Sequence, residues 1–224
     1  MKYLFLAVLS LVIAALFIYL EHEKKYVPAV ISKGLASLCF VILGVIGWKL
    51  SGQSEFGKLV VIGLVLGCIA DVLLNLRFVF EKNGQKIFLV GILVFLSGHI
   101  MYLAALIPKC GPVWICLAVG VVITFLLLKW IFSKITAKKA FKIFGIFYIG
   151  AIVIMTCVAV GALITSPSIQ SAMFVVGAVL FLISDVVLIL NTFGNESKFS
   201  LRITNLSLYY LGQIIIALCL QFAK

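Results

Sequence analysis

The sequence predicts an all-α integral membrane protein with eight transmembrane helices, and three observations indicate this fold. The chain of 224 residues is 65% hydrophobic and only 11% charged, whereas soluble domains average about 45–50% apolar and about 25% charged residues. Eight apolar stretches each approach the ~20 residues that a helix needs to cross the hydrocarbon core. The alternation of polar and apolar residues that marks a transmembrane strand is absent. This composition excludes a soluble enzyme, a disordered chain and a nucleic-acid-binding domain.

The eight predicted spans follow one another with short connections and form a single transmembrane domain over residues 1–224. They cover approximately residues 3–20, 28–48, 56–76, 87–107, 112–132, 142–164, 170–191 and 201–222. All four prolines fall at span ends or between spans, so we expect unbroken helices. Span 1 is longer than the ~7–15-residue apolar core of a signal peptide, and no small-x-small cleavage site precedes Glu21, so we expect it to be retained.

The basic residues indicate how the spans are oriented in the membrane. The formal net charge is +11, but most lysines and arginines lie in short connections, which is a topology signal rather than a phosphate-binding surface. The connections after spans 1, 3, 5 and 7 hold twelve of the 18 basic residues, and the opposite side holds five. We therefore expect these connections to face the cytoplasm across the cell membrane, with both chain ends outside.

An internal repeat places the only two aspartates of the chain in register. Shifted by 114 residues, the segment 63–76 (GLVLGCIADVLLNL) aligns with 177–190 (GAVLFLISDVVLIL), and eight of the fourteen positions are identical. Asp71 then matches Asp185. Valine and leucine identities are common between apolar helices, so the matched aspartates and glycines are the stronger signal of duplication.

The same shift extends the repeat to the next span in each half. The Gly98–His99 pair of span 4 aligns with the Gly212–Gln213 pair of span 8. The halves, about 1–110 and 111–224, each hold four spans. Because four is an even number, the halves are predicted to be parallel and related by a pseudo-twofold axis along the membrane normal.

Asp71 and Asp185 are the main functional candidates because both lie inside apolar spans. A charge at the bilayer centre costs about 2.5–3.5 kcal/mol on insertion scales, so such a group is a functional hypothesis by default; the alternative is a structural ion pair or polar clamp. Two close carboxyl groups do not easily both ionise, which favours one acid and one anion. Each aspartate is about five residues, or ~8 Å, from the inner end of its span. A polar cleft is therefore predicted to open toward the cytoplasm.

Other polar residues of the spans are candidates for the same cleft. Lys33 is a counter-ion for an aspartate, a phosphate contact or a side chain that reaches the interface. His99 is a third catalytic candidate or a hydrogen-bonded core residue, and Asn75 and Tyr102 share helix faces with Asp71 and His99. The weaker candidates, equally explained as hydrogen bonds between helices, are Ser184, Asn191, Tyr209, Tyr210 and Gln213.

The sequence contains no motif for a metal or a cofactor. The six cysteines show no CxxC or Cys/His spacing and are expected to be small apolar fillers. No Gly-rich phosphate loop or GxSxG elbow occurs. A metal site built from Asp71, Asp185 and His99 is chemically possible, but no ligand spacing indicates one. We expect neither a metal nor a cofactor.

Several short polar motifs occur in order along the chain. They are Ala70-Asp71-Val72-Leu73-Leu74, His99-Ile100-Met101-Tyr102, Ser184-Asp185 and Tyr209-Tyr210-Leu211-Gly212-Gln213. With Lys33 in span 2, they resemble the motifs of the YhhN/lysoplasmalogenase family of eight-span membrane proteins, which usually has glycine in place of Ala70. The resemblance covers nearly the whole chain. It implies a membrane-bound hydrolase of lipid metabolism, with lysophospholipid substrates and membrane lipids as its partners.

The resemblance implies cleavage of the vinyl ether bond of lysoplasmalogens, which gives a fatty aldehyde and glycerophosphoethanolamine or glycerophosphocholine. One of Asp71 and Asp185 would protonate the vinyl ether, and the other would stabilise the cation and direct water, much as two carboxyl groups act in glycoside hydrolysis. Lys33 would contact the lipid phosphate. The residues expected to orient the water or the ether oxygen are His99, Tyr102, Tyr210 and Gln213.

Two other functions are compatible with the same residues. Parallel repeats with paired intramembrane carboxyl groups also describe a proton-coupled transporter of small molecules or lipids. The spans lack proline breaks, and the polar groups cluster toward one side, which favours an enzyme over a carrier. A non-catalytic lipid-binding protein is the third interpretation.

Overall fold

Eight long helices follow one another along the chain, as the apolar stretches predict. The computed structural model describes residues 2–222, and within that range all eight are long and apolar enough to cross a membrane and no strand is formed. The helices are α1 (Lys2–His22), α2 (Tyr26–Leu50), α3 (Glu55–Leu76), α4 (Gly84–Leu106), α5 (Val113–Lys134), α6 (Lys139–Thr165), α7 (Ile169–Phe193) and α8 (Phe199–Cys219). Short 3-10 turns lie at Glu81–Asn83, Ile107–Lys109 and Leu220–Phe222. The predicted all-α, eight-span fold is confirmed.

Polar residues and prolines mark the helix ends, close to the predicted span ends. Ser168 precedes α7, and its side chain accepts a hydrogen bond from the backbone N–H of Ser171 (3.1 Å). Ser54 caps α3 in the same way through Gly57 (3.2 Å). Such caps satisfy backbone N–H groups that have no partner inside the helix. The prolines lie in the first turn of α2, in a 3-10 turn and in connections, at Pro28, Pro108, Pro112 and Pro167.

Helices α2 and α8 lie at the centre of the bundle. In each of them 61% of the most apolar stretch is buried, against 17% in α5 and 22% in α1. Helix α5 packs mainly against α6 and exposes large apolar side chains such as Trp114 and Phe125. Outward-facing apolar residues suit contact with lipid, and α5 carries none of the buried polar side chains among the described residues.

The two sequence repeats fold as two closely packed hairpins, α3–α4 and α7–α8. In the first hairpin a Cβ atom on Gly98 would lie 3.2 Å from the carbonyl oxygen of Gly63. In the second a Cβ atom on Gly212 would lie 2.9 Å from the carbonyl oxygen of Gly177. The same glycine pair thus allows close helix approach in both halves. One contact between the halves also repeats, since α2 packs against α8 and α4 packs against α6.

Replacing Gly177 with alanine is expected to destabilise the α7–α8 hairpin. The added Cβ atom would lie 2.6 Å from Cγ1 of Ile216 and 2.8 Å from the carbonyl oxygen of Gly212, and a backbone oxygen cannot rotate away. Overpacking of this kind costs about 1–3 kcal/mol, so the melting temperature of the detergent-purified variant should fall. Gly145→Ala is the control, because no atom lies within 4 Å of a Cβ there. Equal melting temperatures for both variants would contradict this explanation.

Candidate active site

Asp71 lies on α3 within a buried network of side chains from three helices. Its Oδ1 atom is 3.1 Å from Nζ of Lys33 on α2. Its Oδ2 atom accepts hydrogen bonds from the hydroxyl groups of Ser37 and Tyr209, both at 2.5 Å. Lys33 also donates a hydrogen bond to the side-chain oxygen of Asn75 (3.2 Å). Because Lys33 is only 4% exposed and Asp71 only 1%, the lysine is a buried counter-ion and does not reach the membrane interface.

Asp185 lies on α7 in different surroundings. The hydroxyl group of Tyr148 on α6 donates a 2.7 Å hydrogen bond to its Oδ2 atom. Asp185 is 3% exposed and forms no ion pair with any side chain that the structure describes. Each aspartate thus contacts the helix that precedes its own, but only Asp71 has a cation beside it. The two carboxyl groups are equivalent in the sequence repeat and unequal in their environment.

The two aspartates line one polar cavity. Five predicted site residues lie in its wall, namely Lys33, Asp71, Asn75, Asp185 and Tyr209. The other polar residues of the wall are Arg77, Tyr148, Arg202 and Asn205, and the apolar ones are Leu74, Phe88, Phe95, Leu188 and Leu206. The fold therefore brings together the two carboxyl groups that the repeat placed in register.

The polar cavity adjoins an apolar cavity and a basic vestibule. The apolar cavity lies among α4, α5, α6 and α7, and its wall has almost no polar atoms. It shares wall residues with the polar cavity, namely Leu74, Phe88, Phe95, Tyr148 and Leu188. The vestibule shares Arg77 and Arg202 with the polar cavity and is also lined by Lys24 and Lys198. Basic, carboxyl-bearing and apolar regions thus adjoin one another.

Four predicted substrate contacts are hydrogen bonds between helices and lie outside the cavity wall. Tyr102 donates to the side-chain oxygen of Gln213 (3.0 Å), joining α4 to α8. Ser184 donates to the backbone carbonyl of Asn205 (3.0 Å), and the Asn205 side chain donates back to the Ser184 carbonyl (2.9 Å), joining α7 to α8. Tyr210 donates to the backbone carbonyl of Lys33 (3.4 Å). These contacts match the structural alternative for the weaker candidates.

His99 lies on α4 inside an aromatic shell. Its ring centroid is 4.8 Å from that of Phe181 and 5.6 Å from that of Tyr148. The side chain is 1% exposed, and neither ring nitrogen has a hydrogen-bond partner among the described residues. His99 therefore packs against the phenol that holds Asp185, but it does not line the polar cavity.

Two groups that contact the aspartates are absent from the sequence prediction. Ser37 lies four residues after Lys33, and residues at this spacing share a helix face, so the position of Lys33 is a signal that points to it. Tyr148 is one of seven tyrosines in the chain. Tyrosine is readily accommodated in apolar helices, and no spacing from another polar residue distinguishes Tyr148 from the rest. Its partner, Asp185, becomes apparent only when α6 and α7 are packed together.

A second ion pair joins the last turn of α1 to the first turn of α8. Arg202 forms two hydrogen bonds with the carboxylate of Glu21, from Nη2 to Oε1 (2.7 Å) and from Nε to Oε2 (2.8 Å). Glu21 also accepts a hydrogen bond from the side chain of Asn75 (3.2 Å), which links this pair to Lys33. Arg202 lies in the first turn of α8 and is largely buried in this pair.

Comparisons with known proteins identify a family for nearly the whole chain. The YhhN family model matches residues 28–220, and no curated protein or solved structure gives a match. Within the described residues, no three His, Cys, Asp or Glu side chains are grouped as metal ligands. The matched range contains Asp71, Asp185 and every side chain that contacts them. The chain therefore belongs to the YhhN family.

Proposed function

We propose that this membrane protein hydrolyses the vinyl ether bond of lysoplasmalogens, giving a fatty aldehyde and glycerophosphoethanolamine or glycerophosphocholine. The observation that carries the proposal is the adjacency of three spaces, since the polar cavity with two aspartates shares wall residues with both a basic vestibule and an apolar cavity. A lysophospholipid has three corresponding parts: a charged head group, a glycerol unit with the ether bond, and one hydrocarbon chain. The basic connections favour a cleft that opens to the cytoplasm.

The unequal surroundings of the two aspartates support different roles for them. Lys33 balances the charge of an Asp71 carboxylate, whereas Asp185 has a phenol beside it and no cation within the described side chains. A buried charge without a partner is costly. Asp185 is therefore the better carrier of a proton, and Asp71 is the better anion. This assigns the two roles that the sequence leaves open.

The reaction begins with proton transfer from the Asp185 carboxyl group to the β-carbon of the vinyl ether. The electron pair of the double bond forms the new C–H bond, and the ether oxygen shares the resulting positive charge with the adjacent carbon. The Asp71 carboxylate stabilises this cation. Water then adds to the cationic carbon and gives its proton to Asp185, which restores the acid. The hemiacetal that forms breaks down to the aldehyde and the free hydroxyl group of the glycerophospholipid.

The reaction is tested by supplying the purified protein with three lysophospholipids that differ only in the link to the chain. The vinyl ether is expected to release aldehyde, whereas a saturated alkyl ether should release nothing, because it has no double bond to protonate. An acyl ester tests for lipase chemistry. Fatty acid from the ester without aldehyde from the vinyl ether would contradict the proposal. Uptake of intact lysophospholipid into proteoliposomes without cleavage would favour the transporter instead.

A further inference from the structure

Arg77 lies where the polar cavity meets the vestibule and has no carboxylate partner among the described residues. It follows the last residue of α3 and lines both spaces. The guanidinium carbon is 4.5 Å from the ring centroid of Phe78 and 4.4 Å from that of Phe88, so two rings hold the group in place. Its Nε atom is buried and makes no hydrogen bond within the described part of the chain. The side chain is thus positioned but not neutralised.

Two neighbouring cations of the vestibule are paired, which distinguishes Arg77 from them. Arg202 binds Glu21, and Nζ of Lys198 is 2.9 Å from a carboxylate oxygen of Glu196. Burial, together with the charge of Arg202, lowers the pKa of Arg77 to about 10, so the group still carries its charge at neutral pH. A partly buried cation of this kind is stabilised by an anionic ligand that supplies the missing acceptor.

We infer that Arg77 binds the phosphate group of the substrate, an inference that rests on the proposed function. A planar guanidinium group can donate two parallel hydrogen bonds to phosphate oxygens. The phosphate would lie at the inner end of the vestibule, where the head group extends outward past Lys24 and Lys198. Lys33, the residue to which the sequence assigns this contact, is occupied by Asp71 and Asn75.

The spacing between Arg77 and the aspartates suits a lysoplasmalogen. Arg77 is six residues after Asp71, which corresponds to about 9 Å along the axis of a helix at 1.5 Å per residue. Seven covalent bonds separate the β-carbon of the vinyl ether from the phosphorus atom, or roughly 8 Å at the ~1.2 Å per bond of an extended chain. A phosphate at Arg77 therefore places the double bond at the depth of the two carboxyl groups.

The test measures binding of two ligands that this chemistry cannot cleave. One is a 1-O-alkyl lysophosphatidylcholine, and the other is the matching 1-O-alkylglycerol, which lacks the phosphate. Arg77→Gln is expected to weaken binding of the phospholipid by about 10- to 100-fold, as the loss of a charge-assisted hydrogen bond does, and to change alkylglycerol binding less than about twofold. Lys82→Gln, in the same connection and exposed, is the control and should leave both affinities unchanged.

The pattern of the two affinities decides between phosphate binding and packing. Equal weakening of both ligands, or no change in either, would overturn the assignment. If Arg77→Gln does not fold, Arg77→Lys is compared with the wild type instead. A smaller loss of affinity is then expected, for the phospholipid alone. Inorganic phosphate that displaces the phospholipid from the wild type would show that a free anion also occupies the site, and failure to displace it would restrict the site to the head group.

Binding and hydrolysis can fail independently in this design. If vinyl ether cleavage is absent but phospholipid binding still depends on Arg77, the proposed reaction is refuted and the phosphate site stands. If aldehyde is released but the affinity for the phospholipid does not depend on Arg77, the phosphate site is refuted and the reaction stands.

Discussion

Replacing Asp185 with asparagine is expected to reduce aldehyde release by about 10²–10⁴-fold, the usual contribution of a general acid. Asparagine keeps the shape of the side chain and an oxygen that can accept the hydrogen bond from Tyr148. It has no acidic proton to donate to the β-carbon of the vinyl ether. The loss should therefore appear in kcat for the vinyl ether substrate, measured as aldehyde formed by the purified variant, with a melting temperature near that of the wild type.

Tyr148→Phe is the matched control for this substitution. It removes the hydrogen bond to Asp185 but leaves the carboxyl group in place. A hydrogen bond contributes about 0.5–1.5 kcal/mol, so a loss of roughly 2- to 10-fold is expected. Full activity of a folded Asp185→Asn protein would refute Asp185 as the proton donor. If Asp71→Asn also kept full activity, the mechanism with two carboxyl groups would be abandoned.

The membrane fold follows from the sequence because lipid allows few solutions. A backbone in the hydrocarbon core must satisfy its own hydrogen bonds, so each long apolar stretch is a helix. The hairpin repeat was also visible, since the matched glycines at 63 and 177 occupy the tight contacts of α3–α4 and α7–α8. Where each helix ends depends on local caps such as Ser168, which the average hydropathy of a span does not reveal.

The sequence predicts the charged groups of the candidate site but does not predict which side chains contact them. A buried carboxyl group is costly in an apolar span, so Asp71 and Asp185 are conspicuous in the sequence. Burying a hydroxyl group costs far less than burying a carboxyl group, so the sequence does not mark Tyr148 as a site residue. Its contact with Asp185 becomes apparent only when α6 packs against α7. The Glu21–Arg202 pair spans 181 positions, and charge counting cannot show such a pairing. Packing between helices alone decides which polar side chains meet.

Replacing Lys33 with methionine is expected to lower the free energy of unfolding by about 3–5 kcal/mol, because it breaks a buried ion pair and leaves one charge without a partner. The Nζ atom of Lys33 lies 3.1 Å from Asp71, and both side chains are almost fully buried. Methionine retains the length and apolar character of the lysine stem. Chemical unfolding of the detergent-purified variant measures the loss.

The double variant Lys33→Met/Asp71→Asn separates the charge of the pair from the packing of its side chains. Removing both charges leaves nothing uncompensated, so most of the lost stability should return, since buried pairs are often replaceable by uncharged residues at little cost. Aldehyde release should not return, because the carboxylate that stabilises the cation is gone. A double variant as unstable as Lys33→Met would instead attribute the loss to the contact of the Lys33 ammonium group with the Phe17 ring. Recovered stability without recovered activity would make Asp71 a catalytic group whose charge Lys33 compensates.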